Sequence, residues 1–155
     1  MGFQILALNI DQFSHLFGHD AVALARSGVQ RVVADECPGY PCRVSLQDAE
    51  VGEHVLLMNY QHQRAASPYR ASHAIYVRES ASQARPGQNE APELLRKRVL
   101  SVRAFDGAGM MVDADVVDGR NHEPLIERTF AKDSANYLHI HNAKAGCYAA
   151  LVERA

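Results

Sequence analysis

The sequence has no tryptophan, only three cysteines and no long apolar run. Three cysteines are an odd number, which argues against a disulfide framework. No apolar stretch approaches the roughly 20 residues that a transmembrane helix requires. The first segment, Met1–Asp11, lacks the positive residues that begin a signal peptide. These absences predict a cytoplasmic protein with no membrane partner.

The chain also has little excess of charge of either sign. Sixteen Lys and Arg residues against eighteen Asp and Glu residues give a net charge of −2. Such a balance creates no long-range field that would attract nucleic acid or an anionic membrane surface. The one basic run, at residues 94–98, is typical of the solvated face of a helical turn. We therefore predict no nucleic-acid partner.

The 155 residues, of which 47% are hydrophobic, fit a single domain with its own core. Alternating polarity predicts strands at 3–8, 30–34, 43–46, 54–60, 74–78, 99–105, 110–117, 137–141 and 147–153. Capping and periodicity signals predict short helices at 12–17, 21–27, 93–96 and 123–132. Strands outnumber helices and do not alternate strictly with them. This pattern predicts an α+β fold around a mainly antiparallel, or mixed, β-sheet with three to four short helices.

The most polar loop of the chain lies at residues 62–73, between two apolar segments. It carries forked guanidinium donors and hydroxyl groups, which suit a carboxylate or phosphate ligand. The predicted ligand-binding residues of this loop are Arg64, Ser67, Tyr69, Arg70 and Ser72. The structural alternative is that Arg70 pairs with the acidic turn at 48–53 and that Tyr69 packs against its neighbours.

A pair of histidines, His139 and His141, flanks Ile140 in a predicted strand. The period of two places both imidazoles on one face, roughly 7 Å apart. Such a pair can chelate a divalent metal ion with a third ligand from a neighbouring strand, and His62 and His73 are the candidates. A bound metal would make hydrolytic or lyase chemistry available through a metal-activated water. The alternative is that both rings form hydrogen bonds with Tyr137 and loop carbonyls.

Two of the cysteines, Cys37 and Cys42, flank a turn that contains two prolines and a glycine. Their spacing is not that of a CxxC motif, and a reducing cytoplasm keeps such a pair free. A structural turn is the favoured interpretation. The chemical alternative is a thiol nucleophile with a histidine base, which makes Cys37, Cys42, His62 and His73 the catalytic candidates and His141 a further base.

Several motifs occur together along the chain, in particular Tyr40-Pro-Cys-Arg-Val-Ser-Leu-Gln-Asp-Ala49, Ser67-Pro-Tyr-Arg-Ala-Ser72 and His139-Ile-His-Asn-Ala143 followed by Gly146-Cys-Tyr148. In this combination the sequence resembles a small bacterial family of single-domain proteins that is known only as a domain of unknown function. The resemblance covers nearly the whole chain and implies a stand-alone cytoplasmic domain. It implies no activity, substrate or cofactor.

We therefore predict a domain that binds, or acts on, a small anionic or polar metabolite. Its site would combine the 62–73 loop, the 37–42 turn and the hairpin from His139 to Cys147, with Asn142 among the binding residues. The first alternative is a metal-dependent enzyme that uses His139, His141 and His62. The second is a non-catalytic interaction module. A homo-oligomer is compatible with each of these.

Overall fold

A computed structural model describes residues 2–155 and divides their strands into two antiparallel sheets. The strands are β1 (Phe3–Leu6), β2 (Gln30–Val33), β3 (His54–Gln63), β4 (Ala71–Arg78), β5 (Val99–Phe105), β6 (Met111–Asp118), β7 (Tyr137–Asn142) and β8 (Tyr148–Arg154). The helices are α1 (Ala21–Arg26), α2 (Glu93–Arg96) and α3 (His122–Phe130). The α+β class, the mainly antiparallel pairing and the number of short helices are as predicted.

The larger sheet has five strands in the order β1-β8-β7-β5-β6. Alternate residues of β5, namely Leu100, Val102 and Ala104, are buried on one face together with Leu138 and Ile140 of β7. The short helices α2 and α3 cover this face with leucine, isoleucine and phenylalanine side chains. The opposite face therefore carries the intervening residues of the same strands, which include the two histidines of β7.

The smaller sheet has three strands in the order β2-β3-β4. Its apolar side chains pack with those of α1 and of the preceding segment in a second core cluster. Helix α1 begins where the Asp20 carboxylate accepts a hydrogen bond from the Ala23 amide at 2.8 Å, as its N-cap position predicts. Tyr148 of the larger sheet belongs to the same cluster, so the two sheets meet at this residue.

Both sheets contain a β-bulge beside the polar face of the larger sheet. In the β3–β4 ladder, Gln61 pairs with Ser72 and Gln63 pairs with Ala71, which leaves His62 as the extra residue. In the β7–β8 ladder a second shift between Ile140 and His141 places Tyr148 opposite His141. Bulges change the direction of side chains and occur frequently beside functional sites.

Two details of the predicted elements are wrong. Residues 12–17 are not an α-helix, because the chain there makes two 3₁₀ turns, Ile10–Gln12 and Ser14–Leu16. Residues 43–46 are not a strand. They form a turn in which Leu46 has a φ of 50°, a conformation that ends any extended ladder.

Among residues 2–155 the longest helix is α3, with nine residues. None of the helices in this part of the chain is long and apolar enough to cross a membrane.

Candidate metal centre

Three histidines from the two sheets converge on the polar face of the larger sheet. His62 comes from β3, while His139 and His141 come from β7, and one ring nitrogen of each lies within 4.8 Å of the others. The ring centroids are 4.9 Å apart for His62 and His141, 5.9 Å for His62 and His139, and 6.3 Å for His139 and His141. No carboxylate or thiol belongs to this group among the residues described.

Aromatic rings hold the three imidazoles in place. Tyr148 stacks on His62 with a centroid distance of 5.5 Å and an interplanar angle of 9°. The same tyrosine ring meets His139 and His141 edge to face, at 5.3 and 5.9 Å. Phe105 contacts His139 from β5 at 5.1 Å. Rings packed on several sides have few alternative rotamers, so the cluster is pre-organised.

Each of the three histidines keeps one buried ring nitrogen without a hydrogen-bond partner in residues 2–155. These atoms are Nδ1 of His62, Nδ1 of His139 and Nε2 of His141. Nδ1 of His141 donates to the carbonyl of Gly146 at 3.0 Å, because a carbonyl can only accept. This bond leaves the lone pair of the ring on Nε2, and it is the kind of outer contact that orients metal-binding histidines.

The cluster is uncharged at neutral pH. Burial lowers the pKa of His62 to about 4 and that of His139 to about 4. Burial also lowers the pKa of His141 to about 3, although its bond to Gly146 acts in the opposite direction. The neutral imidazole is the form that binds a metal ion, so no proton has to leave the cluster at pH 7.

A single guanidinium group, that of Arg103, lies beside the cluster on β5. Arg103 is directly opposite His139 in the β5–β7 ladder, and its Nε donates to Ser101 Oγ at 3.1 Å. Its positive charge helps to lower the pKa of all three histidines. No carboxylate forms an ion pair with Arg103 in the described part of the chain. Its charge is therefore free to attract an anion to this face.

A groove of about 760 Å³ opens beside the cluster. His62 and His139 line it together with Tyr148, and Arg64 contributes at its edge. The Arg64 guanidinium lies over the ring of Tyr60, 5.6 Å from the centroid. A small molecule in this groove would reach two of the three imidazoles directly.

The rest of the predicted 62–73 loop turns away from the histidines. Ser67 Oγ donates to the carbonyl of Gly109 at 2.8 Å and accepts from the Tyr69 amide, which fastens the loop to the β5–β6 turn. Tyr69 packs edge to face on Phe105 at 6.1 Å. Arg70 and Ser72 are exposed, and neither lines the groove.

The suggested pairing of Arg70 with the acidic 48–53 turn is wrong. Glu53 pairs with Arg78 at 2.7 Å, and Asp48 pairs with Arg98. Both partners come from strands or strand ends that lie against the turn, whereas Arg70 lies at the far end of β4.

The Ser67 bond to Gly109 makes a modest contribution that can be measured. We expect Ser67→Ala to lower the free energy of unfolding by about 1 kcal/mol, because it leaves a carbonyl without its donor. Urea denaturation at neutral pH measures this loss. Ser72→Ala is the matched control, since Ser72 is exposed, and its effect should stay within about 0.5 kcal/mol. Equal effects of the two changes would contradict the structural role of Ser67.

The cysteines, His73 and Asn142 are not members of the imidazole cluster, although the charge of His73 helps to lower the pKa of His62. All three thiols are free: Cys37 is exposed, while Cys42 and Cys147 are buried. The Cys42 sulfur accepts from the amides of Ser45 and Arg78, so it serves the packing of the turn. His73 and Asn142 line a second cleft, which shares no residue with the groove. The predicted single site is thus divided between two places.

Two residues of the cluster's surroundings were not among the predicted site residues, namely Tyr148 and Arg103. Arg103 stands between two apolar residues of β5, at a position whose neighbours at i±2 are Ser101 and Phe105. A charged residue in the middle of a central strand is unusual, and this pattern could have identified Arg103 as a candidate site residue. The position of Tyr148 depends on a bulge, which the residue pattern does not reveal.

The fold and the cluster together define a small α+β domain with a candidate three-histidine metal centre. Residues 39–154 match the sequence model of a family described as "Protein of unknown function (DUF1203)". The match covers most of the chain, so the protein belongs to this family. All three histidines lie within the matched residues. A comparison with curated proteins and one with solved structures each found no match.

Proposed function

We propose that this protein is a metal-dependent enzyme that acts on a small anionic or polar metabolite. The observation that carries the proposal is the convergence of His62, His139 and His141, each with an unpartnered buried nitrogen. A buried polar atom without a partner is costly and uncommon in proteins. Three neutral imidazoles at one place, each with such an atom, are a ligand set suited to a divalent metal ion of the zinc class.

The separations are compatible with one bound ion after a small movement. Three nitrogens at about 2.0–2.1 Å from a tetrahedral zinc ion lie roughly 3.4 Å from one another. The three candidate ligand atoms lie within 4.8 Å of one another, so each ring has to move by about 1 Å. His62 is half-buried, whereas His139 and His141 are buried, so the ring of His62 has the most room to move.

Three protein ligands leave the fourth position of such an ion open. Catalytic zinc sites have this arrangement, in which the ion lowers the pKa of a bound water and polarises a substrate oxygen. His62 and His139 face the groove, so the open position would be reached from there. Arg64 lines the groove, in which Glu153 is the one acidic residue among those described. Arg103 lies opposite His139 in the β5–β7 ladder, and the positive charge of the two guanidinium groups favours an anionic substrate.

Zinc binding by the untagged protein tests this proposal. We expect isothermal titration calorimetry at pH 7.5 to show one zinc ion per chain. His139→Ala and His141→Ala should each weaken binding by about 100-fold or more, because each removes a ligand. His15→Ala is the matched control, since His15 is exposed and distant from the cluster in the sequence. A folded protein that binds no zinc, or variants that bind as well as the parent, would refute the metal centre.

A test of Arg103 distinguishes a metal site that also binds an anionic substrate from a metal site that only stabilises the fold. We expect Arg103→Met to retain zinc, or to bind it more tightly, because a nearby positive charge has been removed. The same change should weaken binding of inorganic phosphate to the zinc-loaded protein by about tenfold. Phosphate affinity can be measured by competition with a chromophoric anion on the cobalt-substituted protein. Unchanged phosphate binding would remove Arg103 from the substrate site.

A further inference from the structure

A second cleft, of about 930 Å³, lies between the 37–42 turn, the start of β5 and the hairpin that joins β7 and β8. Its lining carries the positive side chains of Arg43, Lys97, Arg98 and Lys144 and contains no Asp or Glu. Arg98 is neutralised by Asp48. The other three make the cleft positive, although the whole chain has a net charge of −2.

Arg43 is a buried residue of this cleft's lining. Arg43 is 2% exposed, and its Nε donates to the carbonyl of Tyr148 at 2.7 Å. A second donor, Nη1, bonds to the carbonyl of Pro41. Burial lowers the pKa of Arg43, and no carboxylate forms an ion pair with it within residues 2–155. The side chain of Cys147 lies within hydrogen-bond reach of Arg43, but no Asp or Glu of this part of the chain pairs with it, so a bound anion would stabilise its charge.

An unpartnered acceptor lies in the same cleft. Asn142 is 7% exposed, and its Nδ2 donates to the sulfur of Cys147 at 3.4 Å. Its Oδ1 is buried and has no hydrogen-bond partner in the described residues. Asn142 lines the cleft beside Cys147, so a molecule that enters the cleft can supply the missing donor.

From these groups we infer that the cleft is a binding site for a small carboxylate that carries a hydroxyl or amino group next to the carboxylate. The carboxylate offsets the charge of Arg43, with Lys97 and Lys144 at the rim. The neighbouring O–H or N–H donates to Oδ1 of Asn142. One ligand then gives Arg43 a counter-charge and Oδ1 of Asn142 a donor, which neither a plain fatty acid anion nor a cation achieves.

The site rests on no residue of the histidine cluster, because the groove and the cleft share no lining residue. Ligand binding can therefore be tested on the metal-free protein, and its failure would leave the metal centre untouched. Likewise, a failure of zinc binding would leave the proposed carboxylate site untouched.

The test is an NMR titration of the metal-free, isotope-labelled protein with lactate, propionate and inorganic phosphate. Lactate and propionate differ by the one hydroxyl group, so we expect propionate to bind about tenfold more weakly. Saturable shifts with lactate should be confined to residues of the cleft, in particular Arg43 and residues 97–99 and 142–147. No saturable shift with lactate, equal affinity for propionate, or tighter binding of phosphate would each overturn the assignment.

Variants identify the two contacts. Asn142→Ala should remove the preference for lactate over propionate, whereas Arg43→Met should abolish the binding of both. Lys144→Ser at the exposed rim should weaken both by a few-fold, and it keeps the test valid if the Arg43 variant does not fold. His15→Ala, at an exposed position that lines neither the groove nor the cleft, is the control and should bind lactate like the parent protein. An Asn142 variant that keeps its preference would refute the proposed contact.

Discussion

Acidification of the metal-free protein from pH 7 to pH 5 should lower its unfolding temperature by about 6–12 °C. In the unfolded chain a histidine has a pKa near 6.5. In the folded chain burial lowers the pKa of His62 and His139 to about 4 and that of His141 to about 3. Between these values the unfolded state binds more protons, so stability is complete above about pH 6.5 and falls as the pH decreases toward 4.

The size of this loss of stability follows from the number of histidines whose pKa differs between the folded and unfolded states. Each fully coupled histidine changes the free energy of unfolding by at most about 1.4 kcal/mol per pH unit. The partial exposure of His62 reduces its share, so we expect a total of about 3 kcal/mol. A domain of this length loses roughly 2–4 °C for each kcal/mol. Calorimetric scans at several pH values measure the slope.

Substitution of one cluster histidine should make the unfolding temperature depend less steeply on pH. This test distinguishes the contribution of the cluster from that of other titrating groups. His139→Phe removes one group and should reduce the slope by about a third. Carboxylates with lowered pKa values, such as Glu53 and Glu79, affect stability only nearer pH 4 and below. His122 is buried in another part of the core and also has a lowered pKa, so His122→Phe gives its separate contribution. A flat profile for the parent protein from pH 7 to pH 5 would contradict the buried, neutral cluster.

Gly119→Ala should be among the most destabilising single changes in the chain, at about 3 kcal/mol or a decrease of roughly 6–12 °C in unfolding temperature. Gly119 begins the turn between β6 and α3, and its amide donates to the Arg98 carbonyl at 2.8 Å. A Cβ atom at this position would lie 2.5 Å from that carbonyl oxygen and still closer to the carbonyl oxygen of Leu95. Both obstacles are backbone atoms at the end of α2, so neither can rotate away.

Gly87→Ala is the matched control for this change. The nearest atom to a Cβ at Gly87 is Oε2 of Glu90, the end of a flexible side chain, at 3.2 Å. We expect an effect within about 0.5 kcal/mol. Gly119→Ala should leave zinc binding unchanged in the folded protein, because Gly119 contacts α2, on the face of the larger sheet opposite the histidines. A Gly119 variant as stable as the Gly87 variant would contradict the close approach of the two backbones.

The elements best predicted from the sequence are those with a strong local signal. The alternation of Val99–Phe105 gives β5 with its observed limits, and Pro92 precedes a helix at Glu93–Arg96 as predicted. The failure at residues 43–46 has a local cause as well. Arg43 and Val44 are both buried, and the chain turns so that the guanidinium points inward, which alternation alone does not indicate.

The candidate site was less accessible to sequence reasoning than the fold. The period of two is sufficient to place His139 and His141 on one face, because they belong to one strand. The contribution of His62 depends on a bulge and on how the two sheets meet, and both are tertiary properties. The sequence also contains no signal that would place the 37–42 turn and Asn142 away from the histidines. Asn142 directly follows His141, and the 37–42 turn precedes the strand that carries His62.

The origin of the three histidines in two different sheets has a consequence for the lifetime of the folded state. His62 and the strand that carries His139 and His141 are joined by side-chain packing and by the hydrogen bond from Gln63 Nε2 to Tyr137 Oη at 3.0 Å, not by a backbone ladder. An ion bound to all three would have to be released before the sheets separate, so it would slow unfolding more than it would speed folding. Loaded molecules would then outlast empty ones when proteases act on opened chains. The amount of this protein in a cell would follow the supply of its metal, even with no change in its synthesis.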